Sequence, residues 1–320
     1  MKNLFKALSI VLFGVLIFSC SDDDDDNTIV DDNNLGKGEV EIKSYPDRNN
    51  NRVSFFATVD KITIDWGDGS VDELTPNGVY REFTHEYANP NFRTIKINTE
   101  AMTYIRLDYA STASSYNELR IGNCPNLKEI NSSGANLAVL SIKSAPALTS
   151  VTCVNNDLAT LDLSGCTALR DLNCSGNQLA SLNVSGCAAL RDLNCFRNQL
   201  TSLNVSGCTA LTYLDCSRNQ LTSLDVSKCT ELLALRFHNN QLTSLDVSKC
   251  TTLAVLDCSY NQFTGEGLNS LFDGLHSNEI KSKDSPYLYR REVHIYNNPG
   301  ANTCDRTIAT SKGWEVIPLR

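Results

Sequence analysis

Histidine is scarce in this 320-residue chain: four copies, at 85, 238, 276 and 294, with tryptophan and methionine present twice each. So few imidazoles leave little material for a histidine-based metal or acid–base centre. No G-x-S-x-G, no H-E-x-x-H and no phosphate-binding glycine loop occurs, so hydrolase, zinc-peptidase and nucleotide chemistries lack their residues. Positive charge is also short, with 28 Lys and Arg against 37 Asp and Glu and a net charge of −9. That balance argues against nucleic acid as the main partner. Long apolar runs are missing except for one near the N-terminus, which excludes a multi-span membrane protein. Thirteen cysteines fall below the density of a small disulfide scaffold, and none stands in a C-x-x-C pair that would suggest zinc. The composition predicts no enzyme, no cofactor and no metal. What is there, 41% hydrophobic and 20% charged residues, is enough for one large or two modest domains with a real core.

The single apolar run, residues 7–18, follows Lys2 and Lys6. At about 12 residues it is too short to span a bilayer and suits a signal-peptide core. It ends in Leu16-Ile17-Phe18-Ser19-Cys20, which resembles a bacterial lipobox and implies cleavage after residue 19 and lipidation of Cys20. Five consecutive Asp, residues 22–26, open a self-repelling tether over 20–37. Directly after a lipid cysteine, this run resembles the acidic export signal of Bacteroidetes-type surface lipoproteins. The resemblance implies an outer-membrane, lipid-anchored and surface-exposed protein.

Short alternating segments follow, around Val40-Glu41-Ile42, Val53-Ser54-Phe55-Phe56, Lys61-Ile62-Thr63-Ile64 and Thr94-Ile95-Lys96-Ile97, punctuated by Asn, Asp, Gly and Pro. The spacing predicts a small β-sandwich over 38–103. Within it, Asp65-Trp66-Gly67-Asp68-Gly69-Ser70 and the later Phe83-Thr84-His85-Glu86-Tyr87 resemble the W-G-D-G turn and H-x-Y strand start of polycystic-kidney-disease (PKD) type immunoglobulin-like domains. The resemblance implies a spacer or ligand-holding module. Asp65, Asp68 and Glu73 do not have the D-x-D-x-D-G spacing of a calcium hand, and Asp before Gly is what a tight turn requires.

From 104 to 263 the sequence repeats every 21 residues. Leu127, Leu148, Leu169, Leu190, Leu211, Leu232 and Leu253 keep that interval, as do Asn156, Asn177, Asn198, Asn219, Asn240 and Asn261. The best copies, such as Leu169-x-x-Leu172-x-Cys174-x-x-Asn177-x-Leu179, resemble the leucine-rich repeat. The expected fold is a leucine-rich-repeat solenoid of parallel β coils preceded by the small immunoglobulin-like sandwich. Leu119 and Ile121 keep register with Leu140 and Ile142, placing an N-terminal cap near Tyr104. Each half-repeat, L-x-[LC] and L-x-[LV], predicts a short strand, so every coil has two strand-like sides. Asn is expected to point inward and satisfy backbone groups at the bend.

The cysteines sort by this repeat. Cys153, Cys174, Cys195, Cys216 and Cys258 form one ladder and Cys124, Cys166, Cys187, Cys208, Cys229 and Cys250 another, leaving Cys20 and Cys304. Parallel stacked side chains stand about 5 Å apart at Cβ, outside disulfide geometry, which predicts buried free thiols acting as small apolar fillers. Residues 264–320 read as a C-terminal cap, with helices over 265–275 and 305–312 and strands near Val293 and Trp314. Its N-N-P-G, C-D and K-G-W elements resemble the end of Bacteroidetes-type leucine-rich surface proteins.

Differences between coils locate the candidate ligand face. In the second half-repeat the outward positions are uniform small polar residues: Ser181, Ser202, Ser223, Ser244, then Asn183, Asn204, Asp225, Asp246. In the first half they vary and include Phe196, Arg197, Tyr213, Arg218, Arg236, His238 and Tyr260. Aromatic and Arg residues grouped on one face are what interfaces favour. Arg197 and Arg218, neighbours on adjacent coils, could hold a carboxylate or acidic sugar, and the aromatics could stack on a neutral sugar. The expected partner is therefore a protein, in an adhesion-type role, or a glycan, with a structural surface protein as the remaining reading.

Overall fold

The computed structural model describes residues 35–46, 51–99, 101–107, 115–278 and 290–318. The expected signal peptide, Cys20 and the tether up to residue 34 lie outside the described residues. Six strands come first: β1 (Glu39–Tyr45), β2 (Arg52–Thr58), β3 (Ile62–Asp65), β4 (Val71–Leu74), β5 (Tyr80–Glu86) and β6 (Arg93–Thr99). The coils then supply β7 (Tyr104–Arg106), β8 (Ser115–Asn123), β9 (Glu129–Asn131), β10 (Val139–Ser144), β11 (Ser150–Thr152), β12 (Asp171–Asn173), β13 (Ser181–Asn183), β14 (Asp192–Asn194), β15 (Ser202–Asn204), β16 (Tyr213–Asp215), β17 (Ala234–Arg236) and β18 (Val255–Asp257). The end of the chain adds α1 (Gly265–Asp273), β19 (Arg291–His294), α2 (Thr307–Thr310) and β20 (Trp314–Ile317).

These strands form a leucine-rich β-solenoid. One twelve-stranded sheet runs β20-β19-β18-β17-β16-β14-β12-β11-β9-β7-β2-β5, and a six-stranded sheet runs β10-β8-β1-β6-β3-β4. Both sheets cross the expected boundary at 103/104 without a break. β2 pairs antiparallel with β7, Ala57 opposite Ile105, and β7 pairs parallel with β9, Ile105 opposite Ile130. On the other side β1 pairs antiparallel with β8, and β8 parallel with β10, with Leu119 opposite Leu140 and Ile121 opposite Ile142. The described residues form one compact unit. His85 lies near the end of β5, and the strand after it begins at Arg93, so the H-x-Y segment closes a strand instead of opening one.

Period-2 alternation puts one apolar residue per rung inside. Leu172, Leu193, Leu214, Leu235 and Leu256 are buried, with the cysteine ladders beside them. The asparagine ladder works as the sequence predicts. Asn219 donates through Nδ2 to the carbonyls of Cys216 and, one coil back, Cys195, while its Oδ1 accepts from the Leu200 amide. Asn156, Asn177, Asn240 and Asn261 repeat all three bonds. Asn298 makes the same set to Ile295, Cys258 and Phe263, so the N-N-P-G segment of the cap is one more coil, enlarged by the segment that carries α1.

The ladder thiols are free and buried, and Cys304 is half-buried. Burial pushes the thiols of Cys166 and Cys208 up to about 12. Several use S–H as a donor, Cys208 to the Val184 carbonyl at 3.2 Å and Cys258 to that of His294 at 3.1 Å.

The second side of each coil is less regular than expected. Beyond β10, only β13 and β15 pair there, and residues 161–163, 224–226 and 245–247 form no strand. Asp162, Asp225 and Asp246 accept the amide two residues on, from Ser164, Ser227 and Ser248, and Asn183 and Asn204 on the paired strands β13 and β15 accept in the same way from Ser185 and Ser206, so this local bond is common to the whole row. At the C-terminus, Thr264 caps α1 by accepting from the Gly267 amide, and Lys312 Nζ donates to the last carbonyls, Phe272 and Asp273. The second expected helix shortens to the four residues of α2.

Candidate binding face

The outward face of the twelve-stranded sheet carries every residue singled out from the sequence, in three rows. Tyr213 and Arg236 stand on strands β16 and β17. Phe196 and His238 occupy the second position after a strand. Arg197, Arg218 and Tyr260 occupy the third, just before the ladder asparagines.

Where it is described, that third position has left-handed backbone: Gly134, Asn155, Gly176, Arg197, Arg218, Asn239, Tyr260 and Asn297 all have φ between 53° and 68°. Gly and Asn tolerate this conformation, whereas other residues pay for the clash between Cβ and carbonyl. Arg197, Arg218 and Tyr260 are thus the three places where the row departs from what its backbone prefers. All three are exposed, Tyr260 by 46%.

The second position alternates small and large: Ser175, Phe196, Ser217, His238, Ser259, Tyr296. Large residues two rungs apart would stand about 9.6 Å from one another at strand spacing. The Phe196 and His238 rings lie 6.4 Å apart, leaning together over Ser217, which is fully buried. The Ser217 and Ser259 hydroxyls have no hydrogen-bond partner, so these serines act as spacers. The Arg218 guanidinium lies over the Phe196 ring at 5.5 Å. Tyr260 meets Tyr296 edge to face at 5.4 Å.

The strand row is chemically closed. Arg236 Nη1 donates to the Tyr213 hydroxyl at 2.7 Å and lies over its ring at 5.4 Å, and that hydroxyl reaches Asp215 at 3.4 Å. Tyr213, Asp215 and Arg236 therefore satisfy one another. Earlier on the same face Asp171 and Asp192 stand opposite each other on β12 and β14. Burial and the Asp171 carboxylate raise the Asp192 carboxyl above its ordinary value.

Sequence reasoning missed the other end of this sheet. Phe56 stacks on Tyr80 at 5.6 Å, Tyr104 meets Tyr80 at 5.4 Å, and Arg106 lies over Phe56 at 5.9 Å. Alternation within β2 and β7 could have revealed this cluster. Only the pairing of these two strands, distant in sequence, shows that it shares a face with the coils.

The Trp66 turn holds a Ser, a His and an Asp close together. His85 Nε2 lies 2.8 Å from Asp68 Oδ2 and 3.3 Å from Ser70 Oγ. A nucleophile–base–acid relay needs the acid on the other ring nitrogen, so this arrangement locks a turn. The Ser70 hydroxyl and His85 hold the Asp68 carboxyl well below the usual range. Tyr87 donates to the Trp66 carbonyl and Trp66 Nε1 to Asp72. Gly67 is required there, since its φ is 77° and a Cβ would sit 2.5 Å from the Thr94 carbonyl oxygen. Among the described residues no cluster of three or more His, Cys, Asp or Glu could hold a metal.

No family model matches the sequence, and no curated protein matches it. Among solved structures, a leucine-rich-repeat protein of Leptospira interrogans is 19% identical, covers 60% of this chain and 55% of its own, and superposes with a TM-score of 0.46. The functional domain of InlJ from Listeria monocytogenes, which includes a cysteine ladder, is 27% identical over 67% of this chain and 52% of its own, with a TM-score of 0.41. The internalin InlF of Listeria monocytogenes is 17% identical over 62% of this chain and 63% of its own, at 0.46. The chain thus spans roughly half to two-thirds of the length of the structures it resembles.

Proposed function

We propose that this protein is a cell-surface lipoprotein that binds a protein partner through the outward face of its twelve-stranded sheet. The observation that carries the reading is the asymmetry between its faces. Phe196, Arg218, His238, Tyr260 and Tyr296 gather on one side, and three of the left-handed positions there hold large side chains against the backbone's preference. The other side repeats Ser, Asn and Asp from coil to coil. Tyr260 and Arg218 are exposed, Phe196 and His238 half-buried and Tyr296 buried, and aromatics and Arg clustered in this way supply binding energy. Strain kept at three positions of a row otherwise filled by Gly and Asn is consistent with a functional demand.

In this reading Cys20 carries the lipid, the acidic run lifts the folded part from the outer membrane, and the PKD-like strands over 38–103 stand between anchor and coils. The test is a binding screen of the full chain against extracellular-matrix proteins and a glycan array. A Phe196→Ala/Tyr260→Ala variant and a Ser202→Ala/Ser223→Ala variant of the opposite face run beside it. A protein hit lost only in the first variant supports the reading. A glycan hit, or a protein hit lost only in the second, overturns it. Replacing Cys20 with Ser is expected to release the protein from the membrane fraction.

A further inference from the structure

The clusters on the face differ in what their cations have left to give. Arg236 is committed to Tyr213. Arg218 lies over Phe196, and no protein acceptor meets its N–H groups among the described residues; Arg197, on the adjacent coil, is exposed and likewise unbonded. A guanidinium with one face against a ring keeps its edge free for two parallel N–H···O bonds to a planar carboxylate. We propose that Arg197 and Arg218, set by left-handed backbone on adjacent coils beside the Phe196 and His238 rings, receive carboxylate side chains from a mixed-charge segment of a protein partner lying across the sheet.

Charge complementarity selects that occupant. The chain as a whole is acidic, at −9, and Asp171 and Asp192 stand as neighbours on this same face, on and next to the coil of Arg197, with the Arg191 charge acting on Asp192. A uniform polyanion, such as a sulfated glycan, would meet repulsion there. A segment with acidic residues over the arginines and a cation over the aspartates meets opposite charge at both places. The inference rests on the binding face proposed above and adds the chemistry of its ligand.

The probe is a fluorescent extended peptide of zero net charge, with two Glu among Ser and Lys residues. Its Gln counterpart and a sulfated disaccharide serve as comparisons. Full-length protein is titrated by anisotropy beside two double variants. Arg197→Asn/Arg218→Asn removes the site, and its fold is secured because Asn already fills this row at 155, 239 and 297. Lys228→Ala/Lys249→Ala removes two exposed cations, also 21 residues apart, from the other side of the coils. The Glu peptide is expected to bind at least about tenfold more tightly than the Gln peptide. That difference should vanish in the arginine variant and survive in the lysine variant. Equal binding of the two peptides, equal loss in both variants, tighter binding of the disaccharide, or no binding of the Glu peptide at millimolar concentration overturns the proposal. A protein partner lost in Phe196→Ala/Tyr260→Ala but kept in the arginine variant would overturn this inference alone and leave the face standing.

Discussion

At the scale of single residues, the left-handed row sets stability against function. Gly or Asn serves five of its eight positions without strain, and among the described residues the Arg197 side chain makes no hydrogen bond, ion pair or ring contact to offset the cost of its φ of 55°. Replacing Arg197 with Asn is therefore expected to raise stability by about 1 kcal/mol, read as a higher denaturation midpoint. The same change should weaken partner binding. A lower midpoint would mean that the arginine is held by interactions beyond its backbone. The row was only partly legible in the sequence. The 21-residue interval places Arg197 and Arg218 side by side, and Gly134, Asn155 and Gly176 precede them in register. That these positions share one conformation follows from φ, which the identity of an Arg does not announce. The small–large alternation of Ser175, Phe196, Ser217 and His238 was readable, but its consequence was not. Whether alternating rings stand apart or lean together is decided by what fills the gap between them.

Among elements, the asparagine ladder carries the coils. Each copy satisfies one amide and two carbonyls that would otherwise be buried without partners. Losing it costs both the bonds and the desolvation of the groups left behind. Asn219→Ala is expected to destabilise by about 3–5 kcal/mol. Because neighbouring coils are coupled, hydrogen exchange should rise across 200–221 before it rises at the chain ends. The C-terminal end is held differently. His276 donates Nε2–H to the Leu253 carbonyl at 2.8 Å and accepts the Asn278 amide at Nδ1, and its own carbonyl accepts from Trp314 Nε1. Burial lowers its pKa, and Arg291 acts in the same direction. A histidine depressed in the folded state contributes stability fully above its unfolded value of about 6.5, and that contribution is lost as pH falls toward the folded value. Protonation also removes the acceptor that Asn278 uses. Trp314 fluorescence should therefore report loosening of the end coil below about pH 6.5, absent in His276→Gln. A transition unchanged by that substitution would place the titrating group elsewhere. Repeats of this strength were legible because the five copies from Leu169 to Asn261 restate L-x-x-L-x-C-x-x-N with a single exchange, Phe237 for Cys. The enlarged end coil was harder to see, since the segment carrying α1 displaces Asn298 from the interval and hides it among turn residues.

For the whole molecule, the decisive feature is that both sheets pass from antiparallel to parallel pairing without a gap. The sequence suggests a division at 103/104, because alternation without repeats gives way to repeats at that point. Composition records the change of pattern, but it does not record that β2 and β1 supply the hydrogen-bond partners of β7 and β8. A solenoid's first coil exposes apolar core and unpaired strand edges unless something covers them. Here the N-terminal strands are that cover, with Phe55, Ile42 and Ile95 fully buried in the same continuous core as Ile105 and Leu119. A fragment spanning 104–320 should therefore not behave as a detached domain. It is expected to lose protection in β7 to β10 first and to self-associate through the uncovered edges, with sedimentation showing oligomers at concentrations where the full chain is a single species. The ladder from β11 to β18 makes its own contacts and should persist longest. A monomeric fragment with an unchanged unfolding midpoint would instead make the N-terminal strands a free-standing module, and the spacer role would then belong to them alone. If the fragment associates as expected, those strands cap the coils and extend the binding face at once. The Phe56, Tyr80, Tyr104 and Arg106 cluster would then lie within reach of the same partner segment that crosses Arg197 and Arg218.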